Sequence, residues 1–144
     1  MTARPAGGGV PGPSAGGARW RAPDPRHLRA RRGEDAAAAA LRERGYRIVA
    51  RNVRLRRGEL DIIAEDHGTL VFVEVKTRRS RAYGTPAEAV TPAKRRALAT
   101  LALAYLGRRG LCGRACRFDV VEVWLDAADR VARLEVLRDA FGAW

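Results

Sequence analysis

Hydrophobic and polar residues alternate most regularly near the middle of the chain, between residues 58 and 76. Two apolar runs in this region, Leu60 to Ala64 and Leu70 to Val75, are rich in β-branched side chains. A short polar segment that ends in Gly68 separates them. Two such runs around a glycine-containing turn predict a β-hairpin.

The simplest turn for this hairpin takes four residues, 65 to 68, and it sets the register of the two strands. Ala64 then pairs with Thr69, and Asp61 lies opposite Phe72. Because side chains alternate between the faces of a sheet, three residues of the second strand share the face of Asp61: Phe72, Glu74 and Lys76. Asp61 and Glu74 should therefore be diagonal neighbours. A three-residue turn would instead move Asp61 to the other face.

The remaining pattern predicts two helices and three further strands. One helix begins at Glu34 and runs through five consecutive alanines to Arg44. The pair Thr91-Pro92 is typical of an N-cap and a first helical residue, and it opens a second helix that continues to about Arg108. The predicted further strands are Tyr46–Leu55, Arg117–Leu125 and Leu134–Leu137. This order indicates an α/β fold with a mixed central sheet flanked by helices.

Composition divides the chain at residue 32. The first 32 residues contain seven arginines, six glycines and five prolines, but only one acid. Such a segment buries too little apolar surface to offset the entropy lost on ordering, so we expect residues 1–32 to be disordered. Residues 33–144 are enough for one domain with one core.

The sequence has no apolar stretch of the length that a signal peptide or a membrane span requires, so we expect a cytoplasmic protein with no membrane partner. For residues 1–32 we favour a passive tail, or a start codon assigned too far upstream, over an arm that binds phosphate. Cys112 and Cys116 have no second pair and no nearby histidine, so we expect reduced, structural thiols.

Asp61 and Glu74 are the candidate chemical groups of the hairpin. Two carboxylates on an otherwise apolar hairpin repel each other unless positive charge lies beside them. Mg²⁺ or Mn²⁺ is suited to these two carboxylates, with the Val75 carbonyl as a further oxygen. Lys76 would stabilise charge on a phosphate or lower the pKa of an attacking water, as phosphodiester hydrolysis requires. The alternative is an ordinary half-exposed strand whose charges lie in water.

Four segments resemble the landmarks of one family, YraN, also named UPF0102. The segments are Gly33-Glu34, Gly58–Ala64, Phe72–Arg78 and Arg117–Val121. That family is similar to the PD-(D/E)XK nucleases, especially archaeal Holliday-junction resolvases. The resemblance implies a restriction-endonuclease-like core in which Asp61, Glu74 and Lys76 are the D, E and K of the motif, although Leu60 stands in the proline position. It also implies that Glu34 is a catalytic acid; a helix-dipole partner is the alternative.

Basic residues bracket the predicted hairpin, and the formal net charge of the chain is +12. We expect nucleic-acid phosphates to contact six of them: Arg54, Arg56, Arg57, Arg78, Arg79 and Lys94. A generally arginine-rich composition is the competing explanation, since 26 of the 28 basic residues are arginine. Because lysine is so rare in this chain, Lys76 indicates a position that requires a compact, deprotonatable ammonium and cannot take a guanidinium. Lys94 lies in a first helical turn, where an anion is expected nearby unless the side chain is simply solvated.

The sequence therefore predicts a Mg²⁺- or Mn²⁺-dependent endonuclease that hydrolyses DNA, hypothetically branched or structured DNA. Two alternatives remain: a nucleic-acid-binding module of the same fold without turnover, and a basic subunit that binds acidic proteins. A homodimer would suit a substrate with two scissile strands.

Three further expectations concern structure. Residues Tyr83 to Glu88 should form a flexible loop for substrate entry. Arg117 and Asp119 should form a structural ion pair across the sheet. The aromatic side chains near the end of the chain should complete the core or a contact surface: Trp124, Phe141 and Trp144.

Overall fold

A computed structural model describes residues 2–3, 20–79 and 90–142 of the protein. This part of the chain contains two helices and five strands. In chain order they are α1 Pro25–Glu43, β1 Arg47–Leu55, β2 Gly58–Asp66, β3 Thr69–Arg78, α2 Pro92–Arg109, β4 Cys116–Leu125 and β5 Val131–Phe141. The strands lie side by side in chain order. Strands β3 and β4 are parallel, and every other neighbouring pair is antiparallel. The predicted α/β fold with a mixed sheet is confirmed.

An aromatic core lies between the sheet and α2. Phe118 of β4 stacks on Phe72 of β3 at a ring-centroid distance of 5.5 Å, and on Phe141 of β5 at 5.0 Å. Tyr105 of α2 meets the edge of the Phe72 ring at 6.0 Å. Phe141 is thus a core residue, and Trp124 is also buried. The expectation for Trp144 lies outside the described residues.

Helix α1 covers the opposite face of the sheet with short side chains. Ala37, Ala38 and Leu41 are fully buried there. They pack in one hydrophobic cluster with every second residue of the inner strands: Ile62, Ala64, Val71, Val73, Val121 and Val123. Because alanine side chains are short, the helix backbone lies close to the strands. Neither described helix has a stretch that is long and apolar enough to cross a membrane.

The closest approach of α1 to the sheet is at Gly33, which is buried against Thr77 of β3. A Cβ atom placed on Gly33 would lie 1.8 Å from Thr77 Oγ1 and 2.9 Å from Thr77 Cβ. No side chain fits that space, so the helix can take this position only with glycine here. The next residue, Glu34, is held at the sheet by the same approach.

Helix α1 begins at Pro25, nine residues before the predicted start at Glu34, which is therefore wrong. Asp24 is the N-cap, and its side chain accepts a hydrogen bond from Arg26 N at 2.9 Å. Residues 25–32, which we expected to be disordered, form the first two turns. Glu34 lies in the middle of the helix, so the helix-dipole explanation for it is also wrong. The expectation of disorder for residues 4–19 lies outside the described residues.

The β2–β3 hairpin turns through two residues, His67 and Gly68, and not through the predicted four. Their φ angles are 48° and 84°, and two positive φ values in a row are typical of a type I′ turn. Asp66, and not Ala64, pairs with Thr69. The shorter turn suits the twist of the two strands better than a four-residue loop would.

The predicted register is wrong by two residues. We predicted that Asp61 lies opposite Phe72, but Phe72 pairs with Ile63. A slip of two residues keeps every side chain on its face, because strand side chains alternate with period two. Continuing the observed register brings Asp61 opposite Glu74, closer than the predicted diagonal arrangement.

The other elements match their predicted positions, except that β5 extends beyond the predicted Leu134–Leu137 at both ends. Helix α2 starts after the N-cap Thr91, whose Oγ1 accepts a hydrogen bond from Lys94 N at 3.2 Å. The predicted entry loop, Tyr83 to Glu88, lies outside the described residues.

A buried ion-pair network connects the end of β2, the start of β4 and the end of β5. Asp119 has no exposed surface and accepts hydrogen bonds from Tyr46 Oη at 2.8 Å, Arg117 Nε at 3.0 Å and Asp139 N at 2.9 Å. Arg117 also donates to Asp66 at 2.7 Å. The predicted structural pair of Arg117 and Asp119 is confirmed, but it lies along one strand and not across the sheet.

Gly33→Ala should destabilise the fold, because its Cβ forces α1 away from Thr77. We expect a loss of about 1–3 kcal/mol in the free energy of unfolding, measured by urea denaturation. Gly107→Ala is the matched control, since Gly107 lies in α2 with no atom within 4 Å of the added Cβ. That change should stabilise the fold by roughly 0.5–1 kcal/mol. Equal effects of the two substitutions would contradict the close approach at Gly33.

Candidate functional site

Three carboxylates from two elements meet beside the start of β2. Oxygen atoms of Glu34, Glu59 and Asp61 all lie within 4.8 Å of one another. Glu59 and Asp61 are two residues apart in a strand, so their side chains point the same way. Glu34 reaches them from α1 because Gly33 allows the helix to lie against the sheet. All three are partly buried.

The position of Asp61 coincides with the end of the β2–β3 ladder. Within the described hairpin, the last backbone pair on this side is Ile62 with Val73. Beyond it, the Asp61 side chain accepts a hydrogen bond through Oδ2 from the Val75 N–H at 2.9 Å. The carboxylate thus takes the place of a backbone acceptor and is fixed between the two strands. This contact uses the Val75 N–H; the role of the Val75 carbonyl as a metal ligand stays a prediction.

Glu74 connects the carboxylates to both lysines of the chain. Its Oε1 lies 3.4 Å from Lys76 Nζ and 3.7 Å from Lys94 Nζ. The chain has no other lysine. The Glu74 side chain is only 6% exposed, so the interpretation of an ordinary strand with its glutamate in water is wrong. The anion expected near Lys94 is present, and it is this carboxylate.

Burial and mutual repulsion raise the proton affinity of the carboxylates. Burial is the main cause that raises the pKa of Asp61 to about 7, and the charge of Glu74 is the second. The pKa of Glu34 is raised as well, by burial first and by the charge of Glu59 second. The hydrogen bond from Val75 opposes the shift of Asp61 but does not cancel it. Near pH 7 this cluster therefore favours a proton or a cation.

Asn52 of β1, a residue not predicted from the sequence, connects two of the acids. With its amide oriented to suit its neighbours, the nitrogen donates to Glu34 Oε2 at 2.8 Å and to Glu59 Oε1 at 3.1 Å. Asn52 has a φ of 50°, an unusual value inside a strand. The sequence feature that could have indicated Asn52 is that it is an asparagine in a strand otherwise made of apolar and basic residues. Glu59 was also missed, although it alternates with Asp61.

A cavity of about 420 Å³ opens over Glu34, Asp61 and Glu74. Its wall combines acids of the site with basic residues of α1 and of the end of β3. The lining residues are Arg26, Arg29, Ala30, Glu34, Asp61, Glu74, Val75, Thr77 and Arg79. Three of the four residues predicted to be catalytic line this cavity, and the fourth, Lys76, contacts Glu74.

The six basic residues predicted to contact phosphate are not gathered in one place. Arg79 lines the cavity and Lys94 contacts Glu74. Arg54 pairs with Glu59 at 3.3 Å. Arg78 pairs with the buried Glu122 at 2.5 Å, which is a structural role. Two residues, Arg56 and Arg57, line a separate groove against α2.

Comparison with known proteins identifies the family. Residues 33–123 match the model of a family described as "Uncharacterised protein family UPF0102". The chain belongs to the UPF0102 family. A UPF0102 protein of Moorella thermoacetica is 54% identical over 116 residues, which are 81% of this chain and 97% of that protein. A UPF0102 protein of Symbiobacterium thermophilum is 60% identical over 111 residues, which are 77% and 93% of the two chains.

The UPF0102 match covers the acids and both lysines of the site. Glu34, Glu59, Asp61 and Glu74 all fall within residues 33–123. The first two turns of α1 and the β4–β5 turn lie outside this range. The basic part of the cavity is thus supplied in part by segments that the family model does not include.

Asp61→Asn should raise the melting temperature of this UPF0102 protein at pH 8, measured in EDTA, and should change it less at pH 5. The pKa of Asp61 is raised from 3.8 to about 7, so the folded protein binds a proton that the unfolded chain has released within that window. Stability therefore falls as pH rises through it. Asparagine keeps an acceptor for Val75 N–H without the charge. We expect a gain of roughly 1 kcal/mol, or about 3–4 °C for a chain of this length.

Asp66→Asn is the control, and its expected effect on the melting temperature has the opposite sign. The hydrogen bond from Arg117 holds the pKa of Asp66 below its ordinary value, so this charge stabilises the fold at neutral pH. The substitution should lower the melting temperature at pH 8. A melting temperature of Asp61→Asn that equals or falls below that of the unmodified protein at pH 8 would contradict the repulsion at the site.

Proposed function

We propose that this protein is a nuclease that hydrolyses phosphodiester bonds in DNA with the help of Mg²⁺ or Mn²⁺. The observation that carries the proposal is that three carboxylates line one cavity, with a fourth, Glu59, beside two of them and both lysines of the chain in contact with Glu74. Asp61, Glu74 and Lys76 occupy neighbouring strands in the order of the PD-(D/E)XK motif. The mixed sheet flanked by helices is compatible with the core of those nucleases.

The carboxyl cluster suits a hard divalent cation. Such cations prefer carboxylate oxygens, and the oxygens of Glu34, Glu59 and Asp61 lie within 4.8 Å of one another. Burial first and the charge of Glu74 second raise the pKa of Asp61, and a bound cation would offset both effects. We propose Asp61 and Glu74 as the principal ligands, with Glu34 and Glu59 beside them. A bound cation would polarise the phosphate and lower the pKa of an attacking water.

The residues around the cluster have separable roles in this proposal. The Val75 N–H holds Asp61 in one orientation, which reduces the reorganisation needed during the reaction. Glu74 keeps the Lys76 ammonium 3.4 Å away, near the negative charge that develops on the phosphate. Asn52 holds Glu34 and Glu59 together. Arg79 lies at the cavity, where it can contact a phosphate of the substrate.

Two observations support a nucleic acid as the substrate. The chain has a net charge of +12, and basic side chains line the cavity beside the acids. Branched or structured DNA is the proposed form, by similarity of the motif to resolvases. A homodimer would present two such sites to the two scissile strands of a junction.

Isosteric substitutions at the three motif residues should abolish cleavage. We expect Asp61→Asn, Glu74→Gln and Lys76→Met each to reduce the rate by roughly 100-fold or more, since each removes a charge next to the reacting phosphate. The assay measures cutting of labelled four-way junction, flap, duplex and single-stranded DNA with Mg²⁺, with Mn²⁺ and with EDTA. Glu43→Gln, at the exposed end of α1, is the control and should cut at the normal rate.

The same assay separates the proposal from its alternatives. If the unmodified protein binds these DNAs without cutting them, the nuclease proposal fails in favour of a nucleic-acid-binding module. If it neither binds nor cuts at low salt, a basic subunit that binds acidic proteins becomes the better explanation. Equal cutting by all variants would place the active site elsewhere.

A further inference from the structure

We infer that three arginines at the mouth of the cavity, Arg26, Arg29 and Arg79, form a clamp for the phosphates of one nucleic-acid strand. We call them the arginine rim. The inference rests on the proposed function in one respect, since it places the strand over the candidate active site. Two of the three residues were not predicted from the sequence, because they lie in the segment expected to be disordered.

The rim depends on how α1 is anchored across the sheet. The Asp129 carboxylate in the β4–β5 turn receives Arg29 Nε at 3.2 Å and Arg79 Nε at 3.2 Å, both on Oδ1. The Asp129 carbonyl accepts a hydrogen bond from Arg32 Nη1 at 2.5 Å. One residue thus holds two arginines of the rim side by side and ties the start of α1 to the sheet.

The turn that carries Asp129 is itself well defined. Asp126 Oδ1 accepts hydrogen bonds from Ala128 N at 2.8 Å and Arg130 N at 2.9 Å. Asp129 has a φ of 57°, a left-handed conformation in which Asp is among the more tolerant residues. Fixed backbone geometry at the turn fixes the position of the carboxylate, and so of the two guanidinium groups.

The rim keeps donors available for a ligand. A guanidinium has five N–H donors, and within the described chain Arg29 uses only its Nε, toward Asp129. Arg79 uses its Nε and one bond from Nη2 to the Ala127 carbonyl. The Arg26 side chain is 84% exposed, and among residues 20–79 and 90–142 it pairs only with Asp24, an exposed contact that a phosphate can replace. A single carboxylate between Arg29 and Arg79 leaves that pair with a net positive charge.

The charges of the cavity are divided in a way that suits a phosphodiester. Its floor carries Glu34, Asp61 and Glu74, and the rim carries three guanidinium groups. The acids of the floor would repel a simple organic anion that arrives without a cation. A nucleic-acid strand satisfies both the floor and the rim, because its phosphates suit guanidinium forks and its scissile phosphate accompanies a cation at the acids. The volume of about 420 Å³ is within the range of ligand sites.

The rim combines residues from inside and outside the segment that the family model matches, since Arg79 lies within residues 33–123. Arg26, Arg29 and Asp129 all lie outside residues 33–123, whereas the acids of the floor lie inside. Two of the three rim arginines and Asp129 thus come from segments other than those that supply the acids. The rim and the acids can be removed separately by substitution.

The test compares two double variants on the same helix. Arg26→Ala/Arg29→Ala removes two charges from the rim, and Arg42→Ala/Arg44→Ala removes two charges at the other end of α1. Binding of a fluorescent 15-nucleotide single-stranded DNA is followed by anisotropy in EDTA across a NaCl series, with an RNA of the same sequence in parallel. Circular dichroism and melting temperature establish that both variants are folded.

The rim variant should bind about tenfold more weakly at 100 mM NaCl. Its plot of log affinity against log salt should be less steep by about 1.4, because each lost phosphate contact to a single strand removes roughly 0.7. The control variant should stay within about twofold of the unmodified protein. Arg26→Lys/Arg29→Lys should recover most of the slope, since the charge is restored.

Each outcome separates the rim from the nuclease proposal. If the unmodified protein cuts DNA and the rim variant binds with an unchanged slope, the rim is overturned and the nuclease proposal stands. If the rim variant loses affinity and slope but the unmodified protein never cuts, the rim stands and the nuclease proposal fails. Equal losses in both double variants, or no binding of either nucleic acid by the unmodified protein at low salt, would overturn the rim.

Discussion

The contact between Gly33 and Thr77 is the constraint on which the candidate site depends. Because Gly33 has no side chain, the backbone of α1 rests directly on the Thr77 side chain of β3. One residue further along, Glu34 joins the carboxylates of β2. In the other direction, the first turns of α1 pass over the cavity to the β4–β5 turn. A small displacement of this helix would therefore separate the acids and remove the arginine rim together.

Two clusters of buried acids in this protein have opposite characters. Asp119 is fully buried but receives hydrogen bonds from Tyr46, Arg117 and the Asp139 backbone, so its charge is well compensated. Asp61 accepts one backbone hydrogen bond, from Val75 N–H, and faces further carboxylates. The first arrangement stabilises the fold, whereas the second opposes it. A destabilising cluster of this kind at a cavity is typical of a functional site.

The sequence predicted the parts of this structure that follow from side-chain alternation. The hairpin, the shared face of Asp61 and Glu74, and the position of α2 all depend on local periodicity and capping residues. The register was wrong because His67 adopts a positive φ, which glycine or asparagine signals more clearly. The start of α1 was missed because low apolar content outweighed the capping signal of Asp24 and Pro25. The contributions of Asn52 and Arg29 depend on tertiary contacts that no local pattern contains.

The distribution of lysine gives the last link between sequence and site. The chain uses arginine at 26 of its 28 basic positions, yet both lysines lie within 4 Å of the same Glu74 oxygen. A guanidinium is planar and remains charged, whereas an ammonium is compact and can shift its pKa when its surroundings change. Two ammonium groups on one carboxylate leave this side of the site positive, opposite the three acids that lie together. Glu74 thus separates a region suited to a cation from a region suited to a negatively charged oxygen, and both are needed when a phosphodiester is attacked.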